Sequence, residues 1–346
     1  MDLKTLAGLL NAEYRGPADY PIEGVRDVER LSPDQALEEN RVYFIETPAV
    51  FKRHPKAPER GAVLTTQALA ANFSRAVVVP DAEARLALIK LLKAFDRIPA
   101  FPPGISPDAR VHPSATVAPD AAVLTGAVVM EGASVGARCV LYPGVVIEPH
   151  AAVGEGTVLY PNVVIGHHCV VGKECIIHGG TVLGSDGFGF YDQPGKRHKV
   201  PQIGNVALGD HVELGSGCTV DRATIETTSI GDQTKIDNQV HIGHNCRVGR
   251  FCYIAGNTGL AGSVVVEDGV MISGMVSIKD HLTLARGSVI MGMSGVAQDT
   301  EPKTAYFGTP ALPARQMHKM HSALERLPEL LVRVRELEAK LGTPSK

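Results

Sequence analysis

Residues 140–171 read VLYPGVVIEPHAAVGEGTVLYPNVVIGHHCVV, and an aliphatic side chain returns at every sixth position of this stretch. The same spacing holds without exception from Ile105 to Leu183, and it resumes from Ile230 to Val296. A period of six matches neither an α-helix nor an alternating β-strand. It is typical of a parallel β-helix, a solenoid in which each flat face takes one hexad per coil.

The cysteines support the same register. Each follows an aliphatic position by four residues, and this fourth position also carries Ala, Val and Thr. Because residues two apart in a strand share a face, the fourth position points inward with the next aliphatic residue. We therefore expect a buried column of small residues in a reducing compartment, rather than disulfides or a metal site. The cysteines are Cys139, Cys169, Cys175, Cys218, Cys246 and Cys252.

Composition excludes several classes of function. The 346 residues are 44% hydrophobic but 5% aromatic, which favours a large aliphatic core. A net charge of −3 argues against nucleic-acid binding. The sequence has no apolar run of about 18 residues, the length of a membrane helix, and no signal-peptide core at its start. We expect a cytoplasmic protein with no integral membrane segment.

The first region, residues 1–100, has no hexads and reads as a small α/β cap domain. Apolar periodicity predicts two helices and three strands in it. The helices are expected near 2–12 and 81–95, and the strands at 41–46, 61–66 and 75–80.

The second region, residues 101–312, is the predicted β-helix, entered through a proline-rich stretch at 98–107. The hexads fail at 185–204, and the segment 221–229 adds four residues to the normal spacing. Insertions leave a solenoid as loops at a corner, and such loops often line binding surfaces. The basic stretch 196–199 lies in the first insertion, where it could contact a phosphate or simply be solvated.

The third region, residues 313–346, is predicted to be a C-terminal α-helical segment interrupted by Pro328. A lone amphipathic helix must bury its apolar stripe against something. We expect it to associate with other copies of the chain, and packing back on the last coil is the alternative. The stripe comprises Leu324, Leu327, Leu331, Val334 and Leu341.

Three hexads per coil bring the chain back to the same face after 18 residues, about 4.8 Å higher. Gly262 follows His244 by that interval, and His281 lies two coils above His244 to within one residue. A histidine can accept a proton near neutral pH, and an unshielded glycine N–H can meet a developing oxyanion. The spacing favours acyl transfer, whereas corner histidines with no role are the alternative.

The chain resembles the UDP-3-O-acylglucosamine N-acyltransferases of lipid A synthesis over essentially its whole length. The order of its regions also matches that family: an α/β cap, a left-handed parallel β-helix and a C-terminal helix. DGFGF followed by PQIG and IDNQVxIGHN is more specific than hexads, which many acyltransferases share. The matching segments are SDGFGF (185–190), KVPQIGNVALGDHVELGSGCTVDRATI (199–225), IDNQVHIGHNC (236–246), MGMSGV (291–296) and FGTPALP (307–313).

The resemblance implies a homotrimer with active sites between neighbouring solenoids. It implies transfer of a 3-hydroxyacyl chain from acyl carrier protein to the 2-amine of a UDP-linked, O-acylated glucosamine, with no cofactor, metal or covalent enzyme intermediate. His244 matches the catalytic base, Gly262 the oxyanion donor and His281 a second active-site histidine. Asn245 matches a sugar-contacting position, and Asp237 is expected to orient His244.

The cap motif departs from the family pattern. The family presents Phe-x-x-Asn-x-x-Tyr to the uracil, whereas this chain has Phe44, Thr47 and Val50, with Phe51 adjacent. The resemblance implies that Phe44 stacks on the base and that Thr47 supplies the polar contact. Phe51 replaces the tyrosine if the strand end shifts by one residue.

Three other hypotheses fit parts of the sequence. A different hexapeptide acyltransferase would acylate a hydroxyl or use coenzyme A. A metal hydratase of the γ-carbonic-anhydrase type would need three histidine ligands, for which His241, His244 and His281 are the candidates. A non-catalytic scaffold would bind no UDP-sugar.

Overall fold

The computed structural model describes residues 1–32, 36–54 and 60–341. They form two compact units, Met1–Ala100 and the chain from Phe101 onward. The end of the predicted helical segment, residues 342–346, lies outside the described residues.

The first unit is a five-stranded sheet with α-helices. Its strand order is β1-β5-β4-β3-β2, with β2 to β5 parallel and β1 antiparallel to β5. The strands are β1 (Glu13–Arg15), β2 (Gly24–Arg26), β3 (Arg41–Ile45), β4 (Ala62–Thr66) and β5 (Ala76–Val79), and the helices are α1 (Leu3–Leu10), α2 (Pro48–Arg53) and α3 (Ala84–Ala94).

The sheet is buried on both faces because alternate residues of its strands enter two different hydrophobic clusters. Val42 and Leu64 pack with the α1 and α3 side chains, while Tyr43 and Val63 pack on the opposite side. The two predicted helices and three predicted strands are therefore confirmed. A 3₁₀ turn occupies Asp81–Glu83, so α3 begins three residues later than expected.

The second unit is a solenoid with three parallel sheets, which we call faces 1, 2 and 3 in chain order. Face 1 contains Gly104–Ile105, Ala122–Val123, Val140–Leu141, Val158–Leu159, Ile176–Ile177, Glu213–Leu214, Lys235–Ile236, Tyr253–Ile254, Met271–Ile272, Val289–Ile290, Ala305–Phe307 and, antiparallel at its end, Leu312–Pro313. Face 2 contains Arg110–Val111, Val128–Val129, Val146–Ile147, Val164–Ile165, Val182–Ser185, Thr219–Asp221, His241–Ile242, Gly259–Leu260, Ser277–Ile278 and Gly295–Val296. Face 3 contains Thr116–Val117, Ser134–Val135, Ala152–Val153, Val170–Val171, Asn205–Leu208, Thr227–Ile230, Arg247–Val248, Val265–Val266 and Thr283–Leu284.

Strand register confirms the repeat. Val129 pairs with Ile147, 18 residues later. Across the two insertions the paired residues are further apart in sequence, Val182 with Thr219 and Val220 with Ile242, yet the same face continues. The inserted residues therefore leave the solenoid without breaking the stack of coils. The predicted left-handed parallel β-helix with its α/β cap is confirmed.

The interior is a continuous aliphatic column, in which Ile147 and Ile165 are fully buried. All six cysteines are free and buried in this column, as the register predicts. Thr157 occupies an equivalent slot, donating to the Gly172 carbonyl at 2.9 Å and accepting the Cys175 N–H at 3.1 Å. The slot thus accepts small side chains that can use a carbonyl one coil above.

The C-terminal segment forms two helices, α4 (Ala314–Glu325) and α5 (Leu327–Leu341). Helix α4 packs back on the solenoid end, where buried Met317 lies against Gly308. Pro328 occupies the second position of α5, where the missing N–H costs no helical hydrogen bond. The predicted stripe residues, Leu324, Leu327, Leu331, Val334 and Leu341, are all exposed in the chain.

We expect Ile165→Ala to destabilise the solenoid by about 2–5 kcal/mol, because the substitution leaves a cavity in a fully buried column. Chemical denaturation followed by circular dichroism measures the change. Val170→Ala is the matched control, since Val170 is 43% exposed in the next strand. Equal losses of unfolding free energy in the two variants would show that the buried column does not determine the stability of the solenoid.

Candidate active site

His244 and Asn245 form the turn between faces 2 and 3, which we call the 2–3 corner. Both insertions leave the solenoid at this same corner. The strand Val182–Ser185 precedes the longer insertion, and it pairs with Thr219–Asp221, which pairs in turn with the His241–Ile242 strand. The inserted loops therefore lie one and two coils before His244.

The His244 imidazole is enclosed by two glycines. A Cβ atom added to Gly262 would lie 2.7 Å from both Cε1 and Nε2 of the ring. A Cβ added to Gly187 would lie 2.5 Å from the His244 Cβ and 2.8 Å from Cγ. Glycine is therefore required on both sides of the ring. Coil spacing located Gly262, whereas Gly187 belongs to an insertion that has no period to read.

Asn245 sets the tautomer of His244. Its side-chain oxygen accepts the Thr224 N–H at 3.1 Å, so this atom is an acceptor. The same oxygen lies 2.9 Å from His244 Nδ1. Nδ1 must then carry the hydrogen, and in the neutral ring Nε2 keeps a free lone pair. The predicted pair His244 and Asn245 is thus brought together, with Asn245 orienting the ring.

Two buried polar side chains fasten the longer insertion. Arg222 is 1% exposed and donates through Nε to the Gly184 carbonyl at 2.7 Å and through Nη1 to Gly204 at 3.2 Å. The side-chain oxygen of Gln202 accepts the Thr224 hydroxyl at 3.0 Å. Both ends of the loop are therefore tied to the shorter insertion. Sequence spacing did not single out Arg222 or Gln202.

The centre of the longer insertion is an antiparallel hairpin of Phe190–Gln193 and Lys196–Lys199. Arg197 pairs with Asp192 at 2.6 Å across the hairpin, so part of the basic stretch has its partner within the loop. The loops also present an apolar surface near the 2–3 corner. Its exposed side chains are Phe188, Phe190, Ile203 and Ile225.

His281 and Asp237 lie in different places. His281 occupies the 2–3 corner with an exposed side chain, and its N–H donates to the Gly262 carbonyl at 3.1 Å. Asp237 lies at the corner between faces 1 and 2, where its carboxylate accepts the Gly256 N–H at 3.1 Å. Within this chain Asp237 therefore does not orient His244. The resemblance implied that role for Asp237, but in this structure Asn245 bonds the His244 ring.

Cys246 lies two residues after His244 but points into the solenoid. Its thiol donates to the Ala261 carbonyl at 3.1 Å, and burial raises its pKa to about 11. A thiol with this pKa is scarcely ionised at neutral pH, and the thiolate is the reactive form. Cys246 is therefore a structural residue.

Within the cap unit, a cavity of about 460 Å³ is lined by Phe44, Val50 and Arg85, among others. The Arg85 guanidinium lies 5.7 Å from the centre of the Phe44 ring and pairs with Glu46. Thr47 caps α2, with its hydroxyl accepting the Val50 N–H at 3.3 Å. Phe44 is thus available to a ligand, and the Thr47 hydroxyl still has a hydrogen to donate.

Phe51 does not take the place of the family tyrosine in this cavity. It lies on α2 and meets Phe73 edge to face, with ring centres 5.4 Å apart. Val50 lines the cavity instead. The strand shift that would bring Phe51 into the cavity does not occur.

No group of three His, Cys, Asp or Glu side chains in the described part of the chain is arranged to hold a metal. Of the candidate histidines, His241 is hydrogen-bonded to Thr219, whose hydroxyl lies 2.8 Å from His241 Nδ1. No helix among residues 1–32, 36–54 and 60–341 is long and apolar enough to cross a membrane.

Comparisons with known proteins identify the family of the chain. The bacterial transferase hexapeptide (six repeats) model matches residues 150–185, and the GMPPB C-terminal domain model matches 198–290. A UDP-3-O-acylglucosamine N-acyltransferase from Pseudomonas aeruginosa (strain UCBPP-PA14) is 35% identical, across 98% of this chain and 94% of that protein. The chain belongs to the UDP-3-O-acylglucosamine N-acyltransferase family.

Other members of the UDP-3-O-acylglucosamine N-acyltransferase family align over shorter lengths. The protein from Methylorubrum extorquens (strain PA1) is 40% identical over 42% of each chain. Among solved structures, a UDP-N-acetylglucosamine acyltransferase from Arabidopsis is 28% identical, with a TM-score of 0.49, over 59% of this chain and 71% of its own. One from Francisella novicida is 24% identical, with a TM-score of 0.47, over 61% and 69%.

We expect Gly262→Ala to displace the His244 ring, since the new methyl group would lie 2.7 Å from it. A crystal structure of the variant, or imidazole resonances in NMR spectra, would show the displacement. Gly259→Ala in the same coil is the matched control, because a Cβ there meets nothing within 4 Å. An unmoved ring in Gly262→Ala would mean that the glycine is not needed for the site.

Proposed function

We propose that this protein transfers a 3-hydroxyacyl chain from acyl carrier protein to the 2-amino group of UDP-3-O-acylglucosamine in lipid A biosynthesis. Family membership supports the acceptor and the reaction class. The observation that carries the chemistry is the His244 ring, held between Gly187 and Gly262 with its Nδ1 hydrogen directed to Asn245.

His244 acts as the general base. The neutral 2-amine is the nucleophile, and it must lose one proton as its nitrogen bonds to the thioester carbon. Nε2 is suited to take this proton, because the bond to Asn245 keeps the hydrogen on Nδ1. The reaction therefore requires neutral His244, and its rate should rise with pH until the ring is deprotonated.

Gly262 supplies the oxyanion donor. Its N–H makes no hydrogen bond to any described residue, although it lies one coil above the base. A backbone N–H aimed at a developing oxyanion contributes about 2.7–4 kcal/mol in other enzymes. When the tetrahedral intermediate collapses, the C–S bond breaks and the His244 imidazolium returns its proton to the departing thiolate. No covalent bond to the enzyme forms.

The protein is proposed to act as a homotrimer in the cytoplasm, as the family resemblance implies, and its exposed apolar surfaces support association between chains. The apolar residues of α5 and the side chains around the hairpin are exposed in a single chain. Exposed apolar area of this kind favours association with a partner. Three copies would place the hairpin and the 2–3 corner at an interface, with His281 and Asn245 reaching the acceptor sugar.

We expect His244→Ala to lower N-acyl transfer at least about 100-fold, since a positioned general base contributes roughly 10²–10⁴-fold. Mass spectrometry of the product from acyl carrier protein and coenzyme A donors measures both the loss and the atom acylated. His112→Ala is the control, because His112 is an exposed histidine at the 2–3 corner of an early coil. Substantial turnover by His244→Ala at unchanged melting temperature would refute the proposal, and an O-acylated product would identify a different acyltransferase.

We expect Phe44→Ala to raise the KM for the UDP-sugar with little change in kcat, because the ring lines the cap cavity and has no group that takes part in the proton transfer. Steady-state kinetics with varied acceptor measures this effect. Phe51→Ala is the comparison: Phe51 packs on Phe73, so we expect lower stability and an unchanged KM. A raised KM in Phe51→Ala with an unchanged KM in Phe44→Ala would show that the nucleotide binds outside this cavity.

A further inference from the structure

Asp221 is a nearly buried carboxylate at the end of the face 2 strand one coil before His244. Its side chain is 11% exposed, and it makes no hydrogen bond to any described residue. The basic nitrogen paired with it is His241 Nε2, 3.8 Å from Oδ2. Burial of a carboxylate without hydrogen bonds destabilises the folded protein. A nearby positive charge would offset this effect at Asp221.

The neighbouring Arg222 does not supply that charge. Its guanidinium turns to the carbonyls of Gly184 and Gly204 and lies 3.9 Å from Asp186. On the coil below, Ser185 pairs with Asp221, and Asp186 adds a second negative charge. The basic side chains on the coil above Asp221 are His241, 3.8 Å away, and His244, which follows the strand paired with that of Asp221.

The electrostatics of Asp221 agree with this placement. Burial raises the pKa of the Asp221 carboxyl, and the charges of His241 and His244 lower it in opposition. The Asp221 charge also contributes to the raised pKa of Cys246, which lies two residues beyond His244. Because electrostatic interaction is mutual, a carboxylate that is stabilised by an imidazolium stabilises that imidazolium equally.

We propose that Asp221 is a positioning residue that stabilises the positive charge which His244 acquires when it takes the proton of the acceptor amine. The inference rests on the proposed role of His244 as the base. His244 has a neutral hydrogen-bond partner in Asn245, which fixes the tautomer but supplies no charge. Asp221 supplies the charge from one coil below, and it does so without contacting the substrate.

The test is Asp221→Asn, which removes the charge at nearly constant shape. We expect kcat to fall roughly tenfold, with KM values unchanged, because the imidazolium loses its counter-charge. We also expect the acidic limb of the kcat–pH profile to move toward lower pH, because removal of a nearby negative charge disfavours the protonated ring. The same movement should appear in an NMR titration of the His244 ring, whose resonance is assigned by its absence from His244→Ala.

The controls separate charge from structure. Asp120→Asn makes the same change in net charge at an exposed corner of an early coil, and we expect neither the profile nor the titration to move. Asp221→Glu restores the charge and should return the titration midpoint toward that of the unaltered protein. If Asp221→Asn does not fold, Asp221→Ser gives a smaller neutral side chain for the same measurements.

If the His244 titration is unchanged in a folded neutral variant, the inference about Asp221 is wrong. A fall in kcat without that change would not support it. That result leaves the proposed function intact if His244→Ala remains inactive. If instead His244→Ala is active, the proposed function fails, and with it the catalytic role of Asp221, whatever the NMR titration shows.

Discussion

The inward aliphatic residue at every sixth position is the constraint on which the rest of the structure depends. It fixes the length of a coil at 18 residues, so atoms far apart in sequence meet one strand spacing apart. Gly262 lies against His244 for this reason alone. The stack also tolerates insertions, because Val220 still pairs with Ile242 across the added residues. A rigid column can therefore carry irregular loops at a corner while keeping the catalytic spacing above them.

The two glycines beside His244 have different origins. Gly262 belongs to the repeat, and its position follows from coil length. Gly187 belongs to the longer insertion, and it reaches His244 only because Arg222 ties both ends of that loop to the solenoid. The site thus combines a periodic part, which sets the height of the donor N–H, with an aperiodic part, which closes the other side of the ring. Changing either part would move the imidazole.

This division explains how much the sequence predicted. Hexads located the solenoid, the cysteine column and the pairing of His244 with Gly262, because each depends on period. The cap strands β1 and β2 were missed since they are three-residue strands that bury no side chain. Gly187, Gln202, Arg222 and Asp221 were missed because the contacts of insertions are set by tertiary closure, which has no sequence period. The role expected for Asp237 came from resemblance, and the structure gives its place beside His244 to Asn245.

The bond of His244 Nδ1 to an amide rather than to a carboxylate has an electrostatic consequence. A carboxylate bonded to Nδ1 would both fix the tautomer and balance the imidazolium, whereas an amide fixes the tautomer without balancing charge. The two tasks are then divided between a neutral neighbour in the same turn and a carboxylate on the coil below. In the proposed mechanism, this division leaves the ring bonded to a neutral partner, so no permanent ion pair is held at Nδ1. The proposal also gives an electrostatic role to Asp221, whose carboxylate makes no hydrogen bond within the described chain.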